Sequence, residues 1–489
     1  MLLRAKQALS RVPEITWVLL LALLPITSLP LLSKVAGASM VMPPSGVLLL
    51  ILVVIWLLPA LARRMTLPPQ VSPLFVFAGV ALVSSLLAYF QPFPAFRDEN
   101  FTIHMLEAGL TLAVGVCMFL VAAAFPQDEA ALRRTLAWID AGGLVIILWS
   151  LAQTFLWQEK TQSYPAWMNA IQSLISISRI YPARATGLAF EPSWLAHQLN
   201  ILYLPFWLAA SARRTSAFRQ RLFGISFENL ALVGGVAVLW FSYSRVGLVS
   251  LLFMLGLLVV KANIWLVGWI TDHIGRRSPA DNRPARPAGR LLALQISAAL
   301  FIFYLALILA TGLMVARLNP KMGKMLDFSN LSQGNILAYA NQISIAERVV
   351  YWQTGLDVFN DYPALGVGLG NTGYFFPEKI SPFGWSLVEV ENLMFNASNL
   401  PNTKSMWVRL LSETGLVGFS VFLGWFLVVW FTGGSVQRRR SSLILQTFGL
   451  AGQLAVLAFI VEGFSIDSFA LPYLWVTLGL AVSAWRVRK

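Results

Sequence analysis

The sequence predicts an all-α, polytopic integral membrane protein with about twelve transmembrane helices and a large external loop between helices 9 and 10. Three observations carry this. The 489-residue chain is 57% apolar and only 12% charged, with a mean hydropathy of +0.69. Apolar runs long enough to cross a bilayer recur along its whole length. Basic residues cluster between alternate runs, as the positive-inside rule requires of cytoplasmic loops. The net charge of +14 is therefore read as a topology signal, and a nucleic-acid partner is not expected.

The apolar runs place spans near 14–33, 45–62, 72–91, 103–125, 136–157, 187–211, 227–243, 246–265, 291–316, 407–432, 443–463 and 469–486. The first follows Arg4, Lys6 and Arg11 and ends near Val35-Ala36-Gly37-Ala38-Ser39. That pattern also suits a cleaved leader, but its apolar core is long, and a retained helix is expected. Arg63-Arg64, Arg133-Arg134, Arg213-Arg214 with Arg219 and Arg221, the arginines of 276–290, Arg438-Arg439-Arg440 and the basic tail all fall on one side of this arrangement. That side, with both termini, is expected to be cytoplasmic.

The chain reads as a single integral membrane domain, 1–489, with two distinctive segments. Residues 317–404 form the large external loop, with a polar and aromatic composition of its own. Residues 271–290 contain the Pro/Arg-rich stretch RRSPADNRPARPAGR and read as a flexible cytoplasmic loop able to touch anionic lipid.

Several chemistries find no residues. The one cysteine, Cys117, lies inside a predicted span and reads as an apolar thiol. His104, His197 and His273 are far apart and make no ligand cluster. Gly366-Val367-Gly368-Leu369-Gly370 resembles a phosphate loop, yet no Gly-Lys-Ser/Thr follows, and a plain turn is the better reading. There is no Asp-x-Asp pair to hold a metal–nucleotide-sugar complex. Neither a metal nor a cofactor is expected, and energy for bond formation must arrive with the substrate.

Charged groups gather where the spans meet the outer face. From Pro192 to the Arg213-Arg214 pair there are enough residues, at ~1.5 Å each, to cross the ~30 Å hydrocarbon core. Pro192 thus opens a helix near the external rim, and Glu191 before it is presented from a bend. Arg184, Glu191 and Gln198 would share a face if one helix ran through them, which Pro192 argues against. His197 falls inside the span and reads as packed or hydrogen-bonded. Arg245 sits in a tight turn, Arg348 in the large loop, and Lys404, Arg409 and Glu413 at the head of another span. Singly, such residues often snorkel or pair. Gathered on one side with few acids, they suit phosphate, for which guanidinium is a bidentate ligand.

These residues fall into an ordered set of short motifs. They are R-x-x-G-x-x-x-E-P-S (Arg184–Ser193), S-R-x-G (Ser244–Gly247), R-x-x-x-W (Arg348–Trp352), D-Y-P-x-x-G-V-G-x-G (Asp361–Gly370) and L-x-E-T-G-x-x-G (Leu411–Gly418). The set, over roughly 180–430, resembles the O-antigen ligase and polysaccharide polymerase superfamily. The resemblance implies inverting glycosyl transfer from an undecaprenyl-diphosphate-linked oligosaccharide at the outer face of a bacterial inner membrane, without metal or nucleotide. It also implies that Arg184, Arg245 and Arg348 clamp the diphosphate. Tyr351, Trp352, Tyr374 and Trp385 are candidates for sugar stacking, though loop aromatics as often pack on one another.

One departure matters. Ligases of this superfamily carry a His-Asn pair before L-x-E-T-G, the histidine being the proposed general base. Here Lys404 stands at the histidine and Ser405 at the asparagine, with Asn402 two positions upstream. A lysine is a poor base at neutral pH and a good phosphate ligand. Glu191 is the expected replacement base, with Lys404, Arg409 and Asn402 expected to bind substrate. The expected function is repeat-unit polymerase. A ligase that transfers the glycan to lipid A core or another acceptor is the alternative, and a lipid-linked oligosaccharide flippase is the alternative from another class. Membrane lipids and a chain-length regulator are the further partners this reading admits.

Overall fold

The computed structural model describes residues 2–35, 42–97, 99–275, 287–318, 323–324, 327–343, 345–396, 400–438 and 442–487. The described residues are helical, with isolated bridges and no β-strand among them. The chain divides into two compact units, Met1–Ser250 with Val350–Lys489, and Leu251–Val349.

The main helices in chain order are α1 (Leu2–Leu23), α2 (Pro44–Ala62), α3 (Pro69–Phe90), α4 (Phe101–Ala124) and α5 (Glu129–Phe155). Then come α6, built of Pro192–Gln198, Leu199–Tyr203 and Leu204–Arg213, followed by α7 (Phe227–Phe241), α8 (Arg245–Gly275) and α9 (Pro287–Leu318). The last four are α10 (Ala346–Asp361), α11 (Met406–Arg438), α12 (Leu443–Glu462) and α13 (Pro472–Val487). Their starts carry the expected signals: the side chains of Asn100, Asp128, Ser226 and Ser442 each accept a backbone N–H of the turn that follows.

Among the described residues, seven helices are long and apolar enough to cross a membrane: α2, α3, α4, α5, α8 over Arg245–Ile270, α11 and α12. They match seven of the predicted spans. The other predicted spans fall short for local reasons. The helix expected over 14–33 ends at Leu23, and α7 and α13 have 15 and 16 residues. In α9 the described apolar stretch is Leu294–Ala306. The span expected over 187–211 starts only at Pro192 and is interrupted by a π turn, Leu199–Tyr203. Pro205 explains the interruption, because it has no N–H for the carbonyl of Ile201, and the ladder widens ahead of it. The same device recurs in α2, where the π turn Val53–Leu57 precedes Pro59.

In the first unit α12 is the hub, packing on α6, α11 and α13, while α13 also packs on α4 and α11 on α3. Burial ranks the helices accordingly: 78% of the α12 apolar window is enclosed by protein, against 22% for α2, whose Leu50, Val54 and Leu58 are open. An open apolar face of that kind is what lipid covers. Helices approach through small residues. A Cβ on Gly433 would meet the Gly449 carbonyl oxygen at 2.4 Å, and one on Gly449 would meet that of Gly433 at 2.7 Å. Trp207, Trp425 and Trp475 fill the interior.

The glycine-rich segment 366–370 is a clasp. Gly366, Gly368 and Gly370 all have positive φ, so each turns the chain where a side chain would strain it. Val367 and Gly368 donate N–H groups to the carbonyls of Ser412 and Glu413 at 2.9 Å, and Ser85 Oγ accepts from Leu369 N at 3.1 Å. The facing helix bends to receive it: Gly415 inside α11 has φ 63° and ψ −170°, and Leu416 N donates to Pro363 O at 2.8 Å. The segment is a turn holding α3 against α11, as the sequence suggests.

The second unit holds the remainder of α8, α9 and the short helices Ser329–Ser332 and Ile336–Gln342. There Asn330 Nδ2 donates to Gln342 Oε1 at 2.6 Å, and Gln342 Nε2 donates to Asp327 Oδ2 at 2.8 Å. Of the flexible loop expected at 271–290, residues 276–286 lie outside the described residues, as do several residues of 317–404.

Candidate functional site

The segment 184–191 forms a tied loop that leads into α6. Arg184 Nε donates to the Ser242 carbonyl at 3.0 Å, and Ala185 N donates to that of Phe241 at 2.9 Å, so the loop rides on the end of α7. The buried side chain of Gln153, on α5, grips its middle: Oε1 accepts Thr186 N at 2.9 Å and Gly187 N at 2.7 Å, while Nε2 donates to Gly187 O at 3.1 Å. Thr27 Oγ1 accepts Phe190 N at 2.8 Å. These bonds fix the backbone on either side of Arg184 and Glu191.

Glu191 is the residue before the helix, extended at φ −151° and ψ 163°, and its carboxylate makes no helix-capping bond. Pro192 enforces that geometry. The half-buried carboxylate is instead met by the hydroxyl of Ser193, which donates to Oε1. Because the helix begins at Pro192, Arg184 lies in the loop and not on a helical face shared with Gln198. Gln198 Nε2 turns inward to the Pro25 carbonyl at 3.2 Å.

Arg245 opens α8 through a tight turn. Tyr243 has φ 52°, Ser242 Oγ accepts Ser244 N, and Ser244 Oγ accepts Gly247 N, each at 3.2 Å. The half-buried Arg245 guanidinium has no hydrogen-bond partner among the described residues. Arg184 lies within electrostatic reach of Glu191, Tyr181 and Arg245. Burial, and to a smaller extent the neighbouring Arg245, push the Arg184 guanidinium below its usual range, while Glu191 and Tyr181 oppose this. Burial and the Glu191 charge raise the Tyr181 phenol, against the opposing effect of Arg184. Tyr164 donates to the Tyr181 carbonyl at 3.0 Å, and its own phenol is pushed up to about 12 by burial.

A buried polar trio registers the helix ends. His197 Nδ1 is hydrogen-bonded to Glu462 Oε2. Asn200 Nδ2 donates to Glu462 Oε1 at 2.6 Å and to the Gly247 carbonyl at 2.8 Å. His197 is thus hydrogen-bonded inside the protein, which agrees with its reading as a packed or hydrogen-bonded histidine. Because Glu462 ends α12 and Gly247 lies in the first turn of α8, the trio sets the starts of α6 and α8 beside the end of α12. Met406 N donates to the Gly463 carbonyl at 2.7 Å, which adds the start of α11 to the same end of the bundle.

The 402–413 segment lies there too. Lys404 is half-buried with φ 52°, its N–H donating to the exposed Asn402 Oδ1 at 3.3 Å, and its ammonium has no partner among the described residues. Arg409 is committed internally: Nε donates to Glu413 Oε2 at 2.9 Å, Nη1 donates to the Asp467 carbonyl, and the guanidinium lies 5.1 Å from the Phe469 ring centroid. Tyr351 is fully buried, with its hydroxyl donating to Glu389 Oε1 at 3.3 Å. Trp352 is half-buried against Phe464, and its buried Nε1 lacks a partner. Tyr374 is interior and Trp385 is open. In the second unit, Arg348 is half-buried, and its buried Nη1 lacks a partner among the described residues.

The structure therefore brings Arg184, Glu191 and Arg245 together and sets Lys404, Asn402 and Arg409 at the same end of their unit. Sequence reasoning missed Gln153, Thr27, Tyr181 and Ser193. Only Ser193 had a visible signal, as the last letter of E-P-S. Two guanidinium groups and one carboxylate in such a cluster can hold a multiply charged anion beside a proton acceptor. Among the described residues no group of three or more His, Cys, Asp or Glu could hold a metal ion.

Fold and cluster together define a helical membrane protein with an arginine–glutamate site at one end of its bundle. Residues 230–423 match the family model described as O-antigen ligase, and this similarity supports the superfamily the motifs resemble. The match includes Arg245, Arg348 and the 402–413 segment, and ends short of Arg184 and Glu191. No curated protein matches the chain.

Proposed function

We propose that the protein is a polysaccharide polymerase that joins undecaprenyl-diphosphate-linked oligosaccharide repeat units at the outer face of a bacterial inner membrane. The observation that carries this reading is the tied loop that holds Arg184 and Glu191 beside Arg245. In the proposed reaction the acceptor hydroxyl attacks the anomeric carbon of the donor from the face opposite the diphosphate, so the configuration inverts. The bond from that carbon to the diphosphate oxygen breaks, undecaprenyl diphosphate leaves, and the hydroxyl proton passes to Glu191. Arg184 and Arg245 neutralise the charge that grows on the leaving diphosphate. No metal or nucleotide enters the scheme, because the donor carries its own leaving group.

Lys404 supports polymerase over ligase, since it occupies the position at which the ligases keep their histidine. Its unpartnered ammonium suits a second phosphate contact, with Asn402 beside it. Arg409, already bonded to Glu413 and Asp467, is assigned to shaping that edge of the site. Trp352 and the open Trp385 are the aromatic surfaces proposed for sugar. Tyr351, enclosed and bonded to Glu389, supports the loop that carries them. The proposed topology has about twelve spans, both termini in the cytoplasm and residues 317–404 on the periplasmic side.

A ligase is the second reading, favoured by the description of the matching family. Reconstitution with one defined lipid-linked oligosaccharide separates the two. A ladder of products from that donor alone is expected. Product that appears only when lipid A core or another acceptor is added would make the protein a ligase. Movement of lipid between leaflets without a new glycosidic bond would overturn both.

A further inference from the structure

At the other end of the first unit, where α6 gives way to α7, a cavity of about 280 Å³ opens between Ser211, Arg214, Thr215, Arg221, Ser226 and Asn229. It is distinct from the Glu191 cluster, since Arg213 ends, and Arg214 follows, the helix that Pro192 begins. Its walls are hydroxyls, an amide and two guanidinium groups. Arg214 and Arg221 are exposed, and neither has an ion-pair or hydrogen-bond partner among the described residues. Glu228, in the first turn of α7, is fully buried, with Oε1 accepting Ala217 N at 2.6 Å. Ser226 caps the start of α7 at the cavity rim, adding the positive end of that helix.

The cavity floor is held in place. Arg133 Nη1 donates to the Ser216 carbonyl at 2.9 Å, and Ser211 Oγ donates to Asn229 Oδ1 at 2.5 Å. Beside it the chain makes a tight turn in which Leu222 N and Ile225 N each donate to the other's carbonyl, at 3.0 and 2.9 Å. Phe223 stands at its tip in a left-handed conformation, φ 51°, with 95% of its surface open, next to Leu222 at 59%. An exposed phenylalanine forced into that backbone region beside unpaired arginines is poorly suited to water. It is well suited to the boundary between acyl chains and headgroups.

We propose that this cavity binds the phosphate of an anionic phospholipid, with Arg214 and Arg221 closing on the phosphate and Leu222-Phe223 entering the acyl layer. The shared chemistry is a phosphate group. The apolar tip commits the site to a lipid, because free phosphate would leave Phe223 uncovered. The assignment is independent of the glycosyl-transfer reading.

The test is native mass spectrometry of the full-length protein released from nanodiscs of phosphatidylglycerol and phosphatidylcholine, with inorganic phosphate as a competitor. Wild-type protein is expected to retain phosphatidylglycerol in preference to phosphatidylcholine, and millimolar phosphate is expected not to displace it. Arg214→Gln with Arg221→Gln should lower that retention about tenfold, each basic residue near an anionic surface contributing a severalfold factor. Arg214→Lys with Arg221→Lys should keep most of it, and Phe223→Ser should weaken it with both arginines intact. Unchanged retention in the glutamine pair, equal retention of the two lipids, or displacement by phosphate would overturn the proposal. If the glutamine pair fails to fold, Phe223→Ser and the lysine pair decide the question in the same way.

Discussion

Glu191 and Arg184 show how two residues acquire a role from what surrounds them. Neither sits on regular structure, yet the loop between them is held by Gln153 of α5 and by Thr27, and the Arg184 side chain by the Ser242 carbonyl. If Arg184 and Arg245 stabilise a departing diphosphate, Arg184→Ala and Arg245→Ala should each lower kcat by about 10²–10³. Rates within a few-fold of wild type would return them to headgroup contacts. Glu191→Gln should abolish ladder synthesis in protein that is inserted and folded. Near-normal synthesis would move the base elsewhere. Lys404→Ala should raise KM more than it lowers kcat if the lysine binds phosphate, and a kcat effect alone would contradict that role.

The elements explain why those residues are held so firmly. Gln153 satisfies three backbone groups of the 184–191 loop, so Gln153→Ala should destabilise the protein by about 1–3 kcal/mol and reduce kcat without touching substrate. Thermal melts and kinetics on one preparation check both effects together. The glycine clasp offers a second measurement. A Cβ on Gly366 would lie 2.5 Å from backbone atoms of Ser412 and Glu413, and Gly366 has positive φ. Gly366→Ala should therefore lower the melting temperature strongly, whereas Gly424→Ala, with open space around it, should not. The sequence marked Gly366 as part of a glycine-rich turn, but not the backbone of α11 that packs against it. The helical class was legible because apolar runs of span length are a one-dimensional signal. The π turn before Pro205 and the kink at Gly415 were not, because both depend on which backbone bonds a neighbour can replace.

At the scale of the molecule, the buried trio of His197, Asn200 and Glu462 joins residues more than 260 positions apart and sets the starts of α6 and α8 beside the end of α12. Removing one member leaves polar groups unsatisfied in the interior, so Glu462→Ala should cost about 3–5 kcal/mol and disturb the Glu191 cluster at a distance. The sequence showed His197 inside a span but could not show its partner. In the same way, the motif order pointed to Arg184, Glu191 and Arg245, and only the folded chain brings them together. Lys404 and Asn402 extend the proposed site by the logic of charge.

The most direct test is release of undecaprenyl diphosphate in proteoliposomes given a single lipid-linked repeat unit and no other acceptor. One molecule should be released per new glycosidic bond, with the rate falling about 10²–10³ in Arg184→Ala. No release from that donor alone, or release unaffected by loss of Arg184, would contradict the account.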